Sequence, residues 1–397
     1  MARALEPVRV LDFTRAFSGP LCTMLLGELG AEIIKVEIPE GGDGARHVAP
    51  LTEGAESCIG ITLNRGKKSI TLNLRSERGL KVANDLVKNA DVIVENFSPG
   101  VMDKLGLGYE EVQKINPSVI YASLSGFGHN GPRRLEPAWD SIAQASGGLM
   151  CVNGFPDRPP LRVGIVIADY LSGLYTTIAI LAALHHREKT GSGQAIDISM
   201  QDCIWALTAI EHSHDYFLTG KVPERTGNRT WIIVPSNNYQ TKDGYVRITV
   251  TLLGQWENLL KVIGREDLLG NKKYSSTNAR VKIPDEVDNL VETWTKTLST
   301  AEVVNRCNKA DIPCTAIPSF EQVANDPQLL SRQMIVEVEQ AVSGKVKVPG
   351  SVFKMSETPG EPDHCAPFLG EHNYEVYSGL LGYSEQEIRK LDDEGII

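Results

Sequence analysis

One carboxylate stands out by its setting. Asp169 follows the apolar run Val163 to Ala168, which reads as a strand, and precedes a second apolar stretch, Leu171 to Leu184, long enough for a helix. An acid there lies at the mouth of a helix, partly removed from water, where backbone N–H groups and the helix dipole favour its anionic form. The spacing alone leaves two readings, an N-cap or a reacting group. The other motifs are weaker. Ser125-Gly126-Phe-Gly128-His-Asn-Gly131 matches G-x-G-x-x-G, but Pro132-Arg-Arg stands where an apolar helix should begin, and Asp140 comes too early for a ribose contact. Neither a phosphate-binding P-loop pattern nor a G-x-S-x-G nucleophile elbow occurs. None of the eight histidines stands in a metal-binding spacing. Arg65-Gly-Lys67-Lys68 reads as a solvated turn, functional only beside a phosphate.

The elements around these residues alternate. Val8 to Phe13 reads as a buried strand, Thr14 to Pro20 as a turn with Pro20 in the first turn of a helix, Leu21 to Leu29 as that helix, and Ala31 to Glu37 as the next strand. Such a unit makes a parallel pair with a right-handed crossover, which puts loop 14–19 at the carboxyl edge of the sheet, where open α/β folds bind ligands. Residues 38–60 read as a surface loop. Ser69 to Leu74 alternates like a strand, Glu77 to Lys88 like an amphipathic helix, and Ala90 to Glu95 is again a buried strand closed by the turn Asn96 to Gly100. Helical segments at 102–105 and 109–115 and a strand at 119–124 continue the pattern, and Ala195 to Ser199 is a further strand. From about residue 220 short strands with Gly/Asn turns take over. The expected organisation is a large Rossmann-like domain over 1–219, a small α+β domain over 220–320, and a segment 321–397 returning to the large domain.

Composition fits this picture. The 397 residues are 42% hydrophobic and 23% charged, with a net charge of −10, which argues against a nucleic-acid or membrane-surface binder. The seven scattered cysteines form no C-x-x-C pair, so neither zinc nor redox chemistry is expected. The N-terminal residues lack an apolar h-region and no uninterrupted apolar run spans a bilayer, so a cytoplasmic protein is expected.

An ordered set of motifs carries a resemblance over essentially the whole chain. Val10-Leu-Asp-Phe-Thr-Arg15 with Gly19-Pro20, Leu29-Gly-Ala-Glu-Ile-Ile-Lys-Val-Glu37, Asn64 to Leu74 and Asp91-Val-Ile-Val-Glu-Asn-Phe97 come first. Gly126-Phe-Gly128 with Gly131-Pro132, Gln144 to Gly147, Ala168-Asp169, Thr190 to Gln194 and Met200-Gln-Asp202 follow. Together they resemble the class III CoA-transferases, also called the CaiB/BaiF family. The resemblance implies an α/β fold with a Rossmann-like large domain, and an interlocked dimer of ring-like subunits, a homodimer or a pairing of two related chains. It implies acyl-CoA and a carboxylic acid as substrates, with coenzyme A bound and released and no metal, nucleic acid or membrane involved. Asp169 falls at the family's nucleophilic aspartate. The positions matching CoA contacts are Arg15, Ala16 and Phe17, then Leu72, Asn73, Leu74 and Arg75, then Asn96, Phe97 and Lys104. Trp139 and Asp140 match the substrate-adjacent segment and would wall the acyl pocket.

Two departures narrow the implied activity. Formyl-CoA transferases carry a glutamine where this chain has Phe17, and a polyglycine loop where it has Thr251-Leu-Leu-Gly-Gln255, so formate and oxalate fit poorly. The related α-methylacyl-CoA racemases place a histidine base directly before the aspartate of the Asp140 segment. Here that position is Trp139, so two-base proton exchange lacks a partner. The resulting expectation is transfer of CoA from a donor such as succinyl-CoA to a dicarboxylic, aryl-substituted (benzylsuccinate-like) or branched or hydroxy acid. A racemase, or one subunit of a two-chain transferase, are the alternatives.

Overall fold

The structure is a computed structural model that describes residues 3–361 and 364–397, with Asp215 described by its backbone alone. The chain divides into two compact units. One comprises Met1–Leu149, Val163–His214 and Pro327–Ile397, the other Met150–Arg162 and Asp215–Asp326. The break near residue 220 therefore falls at 214/215. Residues 150–162, which the sequence pattern left in the large domain, group with the second unit.

The first unit is built on six parallel strands: β1 (Arg9–Asp12), β2 (Glu32–Glu37), β3 (Lys68–Thr71), β4 (Val92–Glu95), β5 (Ile120–Ser125) and β6 (Gln194–Ser199). They lie in the order β3-β2-β1-β4-β5-β6. Most of these strands are buried on both faces, which explains their near-continuous apolar runs. The side chains of β1 alternate accordingly. Val10 packs with Cys22, Leu26, Ile180 and Leu184 on one face, while Leu11 packs with Val82, Leu86 and Val112 on the other. The helices up to residue 219 are α1 (Ser18–Glu28), α2 (Cys58–Asn64), α3 (Glu77–Val87), α4 (Val101–Lys104), α5 (Tyr109–Ile115), α6 (Asp140–Ser146), α7 (Leu149–Val152), α8 (Ile167–Thr190) and α9 (Met200–Thr219), of which most of α7 and the end of α9 belong to the second unit.

The order of the strands decides where a ligand fits. The chain runs outward from β1 in one direction and from β4 in the other, so the loops leaving these two neighbours diverge and open a crevice at their carboxyl ends. Those loops begin at Phe13 and at Asn96.

Helix α8 is long and apolar enough to cross a membrane by length and composition. One face of it is packed in the core: Ala168, Ser172, Gly173, Thr176, Thr177, Ile180, Ala183 and Leu184 are buried. Ser172, Thr176 and Thr177 each donate a hydroxyl to a carbonyl one turn back, so their polarity is satisfied inside the helix. Gly173 lets α1 approach closely, since a Cβ there would lie 2.8 Å from the Ser18 carbonyl oxygen.

Three local expectations need correction. The strand expected to reach Leu74 ends at Thr71, because the Tyr377 hydroxyl and the Ile396 carbonyl take over the backbone partners of Thr71 and Asn73. The apolar run Val163 to Val166 is not a strand. The Gln144 amide holds it as a loop, accepting from Val163 N and donating to Ile165 O. Residues 38–60 are not simply a surface loop, for they contain the buried Asp43 and a short 3-10 turn, Gly44–His47, before α2 starts at Cys58.

In the second unit β7 (Ser236–Gln240), β8 (Tyr245–Thr249) and β9 (Cys314–Ala316) form an antiparallel sheet. It shares an apolar core, including Trp256, Leu259, Val287, Val291 and Val303, with the helices Leu253–Val262, Pro284–Thr295 and Thr300–Lys309.

Candidate active site

The residues at the crevice are held by an unusually polar floor. Asp12, the last residue of β1, is fully buried. It accepts from Thr23 Oγ1 at 2.6 Å and from Lys67 Nζ at 2.9 Å. Burial would raise its pKa, but Lys35 and Lys67 more than offset that and hold it well below the usual carboxylate range. Lys67 is itself brought down to about 8, first by burial. Arg65 is buried against Glu28. The basic run 65–68 is thus no solvated turn: two of its three cations are internal struts, each paired to a carboxylate far away in sequence. Removing one partner of such a pair costs about 3–5 kcal/mol.

Above this floor the loop after β1 meets the turn after β4. The Asn96 side-chain amide accepts from Arg15 N at 2.8 Å and donates to Arg15 O at 2.8 Å, closing both backbone groups of Arg15 at once. Glu95 Oε2 accepts from Phe97 N at 2.8 Å, and the Arg15 guanidinium lies over the Phe97 ring, 5.0 Å from its centroid. Arg15, Leu72, Asn73, Leu74, Arg75, Phe97 and Lys104 line one cavity of about 850 Å³, a volume suited to a large small-molecule ligand. Its chemistry is mixed in a useful way. Arg75 and Lys104 are exposed cations, while Leu72, Leu74 and Phe97 supply apolar wall. Seven of the ten residues singled out for cofactor contact therefore meet in one place. Of the other three, Asn96 acts through Arg15, Ala16 is the hinge of the loop, and Phe17 points elsewhere.

Phe17 leads to the carboxylate. Its ring packs edge-on against Tyr170, with centroids 5.0 Å apart, beside Asp169. Asp169 is the third residue of α8. It is not the N-cap: that position is Val166, and no side chain caps the helix from it. The helix amide at Ala168 is instead capped from another element, by Asp140 Oδ1 at 2.8 Å. The second oxygen of Asp140 accepts from Gln144 Nε2 at 2.7 Å. The electrostatics also correct the simple helix-mouth argument. Burial first, and the charge of Asp140 second, push the Asp169 carboxyl up to about 7, although the Ser18 hydroxyl opposes them. A carboxylate so placed is desolvated and crowded by like charge, with no salt bridge to a lysine or arginine among the described residues. Its anion gains by forming a covalent bond to an electrophile.

Trp139 precedes α6 and is 72% exposed in the single chain. The Gly126–Gly131 segment is followed by turns and no helix until α6, which agrees with setting aside a dinucleotide loop. Sequence reasoning missed Asp43, Lys35 and Gln144, all buried polar residues that each bond a backbone group 19–27 residues away. Lys35 and Gln144 lay in quoted motifs, and nothing local marked their roles.

The comparisons with known proteins identify the family. The family profile CoA-transferase family III matches residues 5–373. The chain is 35% identical over its whole length to the succinyl-CoA--D-citramalate CoA-transferase of Chloroflexus aurantiacus, covering 98% of that protein. It is 37% identical to the formyl-CoA:oxalate CoA-transferase of Streptomyces coelicolor, with both chains fully covered. Among solved structures, a CaiB/BaiF family protein from Brucella suis superposes with a TM-score of 0.85 at 34% identity, covering 96% of this chain and 100% of that one. A parallel α/β crevice and full-length similarity at this level lead to one conclusion: the chain belongs to CoA-transferase family III and is a CoA-transferring enzyme.

Proposed function

We propose that the protein moves CoA from succinyl-CoA to a carboxylic acid through covalent intermediates on Asp169. The observation that carries this is the loop 15–17. One end of it lines a cleft where Arg15, Arg75 and Lys104 stand among apolar wall and the carboxylates of Glu37, Glu40 and Asp392, and the other packs beside a desolvated carboxylate. Arg15, Arg75 and Lys104 would meet the phosphates of CoA, and Phe97 would pack on its adenine or pantetheine arm.

In the first step an Asp169 oxygen attacks the thioester carbonyl carbon. The C–S bond breaks and the thiolate leaves with the bonding pair, giving a mixed anhydride. The thiolate then attacks the aspartyl carbonyl and expels the donor carboxylate, which leaves an aspartyl–CoA thioester. The acceptor carboxylate attacks that carbonyl and again frees the thiolate. Attack on the acceptor's own carbonyl completes the new CoA ester and restores Asp169. No net proton or electron is exchanged. Water must be kept out, since an anhydride hydrolyses readily.

Identity does not choose the acid, because relatives named for citramalate and for oxalate are about equally similar. The site favours larger or less polar acids, since Phe17 on Tyr170 presents an aromatic surface next to Asp169. That surface supports the dicarboxylic, aryl-substituted and branched or hydroxy acids as acceptors over formate and oxalate. Racemase chemistry gains no support: Trp139 carries no base, and both oxygens of Asp140 are engaged. We further propose an interlocked homodimer in the cytoplasm. Ile178 of α8 and Trp205 and Ile210 of α9 are 51–74% exposed, apolar surface that a second subunit would cover.

Succinyl-CoA incubated with a panel of acids and analysed by mass spectrometry tests the activity. An acid-dependent new CoA ester is expected. Hydrolysis alone, with every acid, would refute it.

A further inference from the structure

The loop that joins the cleft to Asp169 has a backbone that does not hold itself. Ala16 sits at φ +65°, in the left-handed region, which costs a non-glycine residue about 1–2 kcal/mol. Something must keep it there. Asn96 holds Arg15 from one side, as described. On the other side lies a buried ion pair, Lys35 Nζ to Asp43 Oδ2 at 3.1 Å, whose side chains are at most 1% exposed.

Each partner of that pair also grips the loop. Lys35 Nζ donates to Thr14 O at 2.8 Å, and Asp43 Oδ1 accepts from Ala16 N at 3.0 Å. The two grips bracket Arg15. They are set in turn by fixed elements, because Lys35 belongs to β2 and Asp43 N donates to Glu37 Oε2 at 3.0 Å. Burial alone would discharge Lys35, but Asp12, Asp43 and Glu37 outweigh it and keep the ammonium charged. Asp43 Oδ2 is held by the Lys35 charge with no hydrogen bond to it among the described residues, and neither partner has water to turn to.

We propose that Asp43 and Lys35 are positioning residues for transfer. Their ion pair locks Ala16 in its left-handed conformation, so that Arg15 faces the CoA cleft while Phe17 faces Tyr170 and Asp169. The proposal rests on the reading of the cleft as the CoA site. It also assigns a role to two residues that touch neither substrate. The alternative role for Asp43 is local, as cap of the turn Gly44–His47, where its Oδ1 also accepts from Ala45 N at 3.0 Å.

The test measures free CoA binding by calorimetry, and kcat and KM with succinyl-CoA, for wild type and three variants. Asp43→Asn keeps the volume and one acceptor but removes the charge. Ala16→Val leaves the ion pair intact and forbids the conformation it holds. Both should weaken CoA binding and raise KM on the order of tenfold, with a smaller change in kcat. Adding Ala16→Gly to Asp43→Asn should recover part of the affinity without raising the melting temperature, since glycine adopts φ +65° freely. A lowered melting temperature with unchanged CoA affinity in Asp43→Asn, or wild-type affinity in Ala16→Val, would overturn the proposal. Wild-type protein that binds no CoA at all would overturn the reading of the cleft, and the clamp with it.

Discussion

Replacing Asp140 by asparagine should move the pH dependence of the enzyme toward acid. Asp169 is pushed from its ordinary value of 3.8 to about 7. That rise corresponds to roughly 4 kcal/mol of preference for the neutral acid. Burial is the larger cause and Asp140 the second, so removing the Asp140 charge returns a minor share of it. We expect the acid limb of kcat/KM, which reports the free enzyme, to fall by about one pH unit, or ~1.4 kcal/mol. The variant is not free of other effects. The new side chain still accepts from Ala168 N, but its amide nitrogen meets the Gln144 Nε2 donor, an unsatisfied contact worth about 1–3 kcal/mol of stability. Melting curves therefore accompany the rate profile, and rates are read only where the variant is folded. A limb that stays in place, or moves toward alkali, would refute the claim that like charge from Asp140 tunes Asp169.

Two further outcomes follow from the same geometry. A carboxyl whose pKa is raised on folding costs stability as pH climbs from its unfolded value through about 7, and costs nothing below it. Asp169→Asn should therefore melt higher than wild type at about pH 8, with the gap closing toward about pH 4; equal differences at both would contradict the burial argument. Arg75→Ala and Lys104→Ala should each raise the KM for acyl-CoA several-fold and flatten its salt dependence, with kcat little changed, as expected for exposed cations that meet phosphate. A change in kcat alone would place them outside the cleft's binding role.

How much of this was legible in the sequence follows from the range of the interactions involved. Strands such as Val92–Glu95 and helices such as Glu77–Val87 came within a few residues, because periodicity and capping are local signals. The strand order fixed the crevice at β1 and β4, where Arg15 and Asn96 were already singled out. The errors share a cause. Arg65 and Lys67 looked like a wet turn because Glu28 and Asp12 are 37 and 55 residues away. Asp43 sat in an acidic, glycine-rich stretch that gave no hint of Lys35. Val163 to Val166 had strand-like composition, but the Gln144 amide occupies its backbone. Asp169 stood out in the sequence by its setting, yet the cap on its helix is supplied by Asp140, which local spacing does not reveal.

The central claim is that Asp169 carries the acyl and CoA groups. Incubation with succinyl-CoA and hydroxylamine, followed by peptide mass spectrometry, tests it most directly. The account predicts a hydroxamate on Asp169, formed only in the presence of the CoA ester and absent from Asp169→Asn. Acceptor turnover with no modification at residue 169, or undiminished turnover by Asp169→Ala, would contradict it.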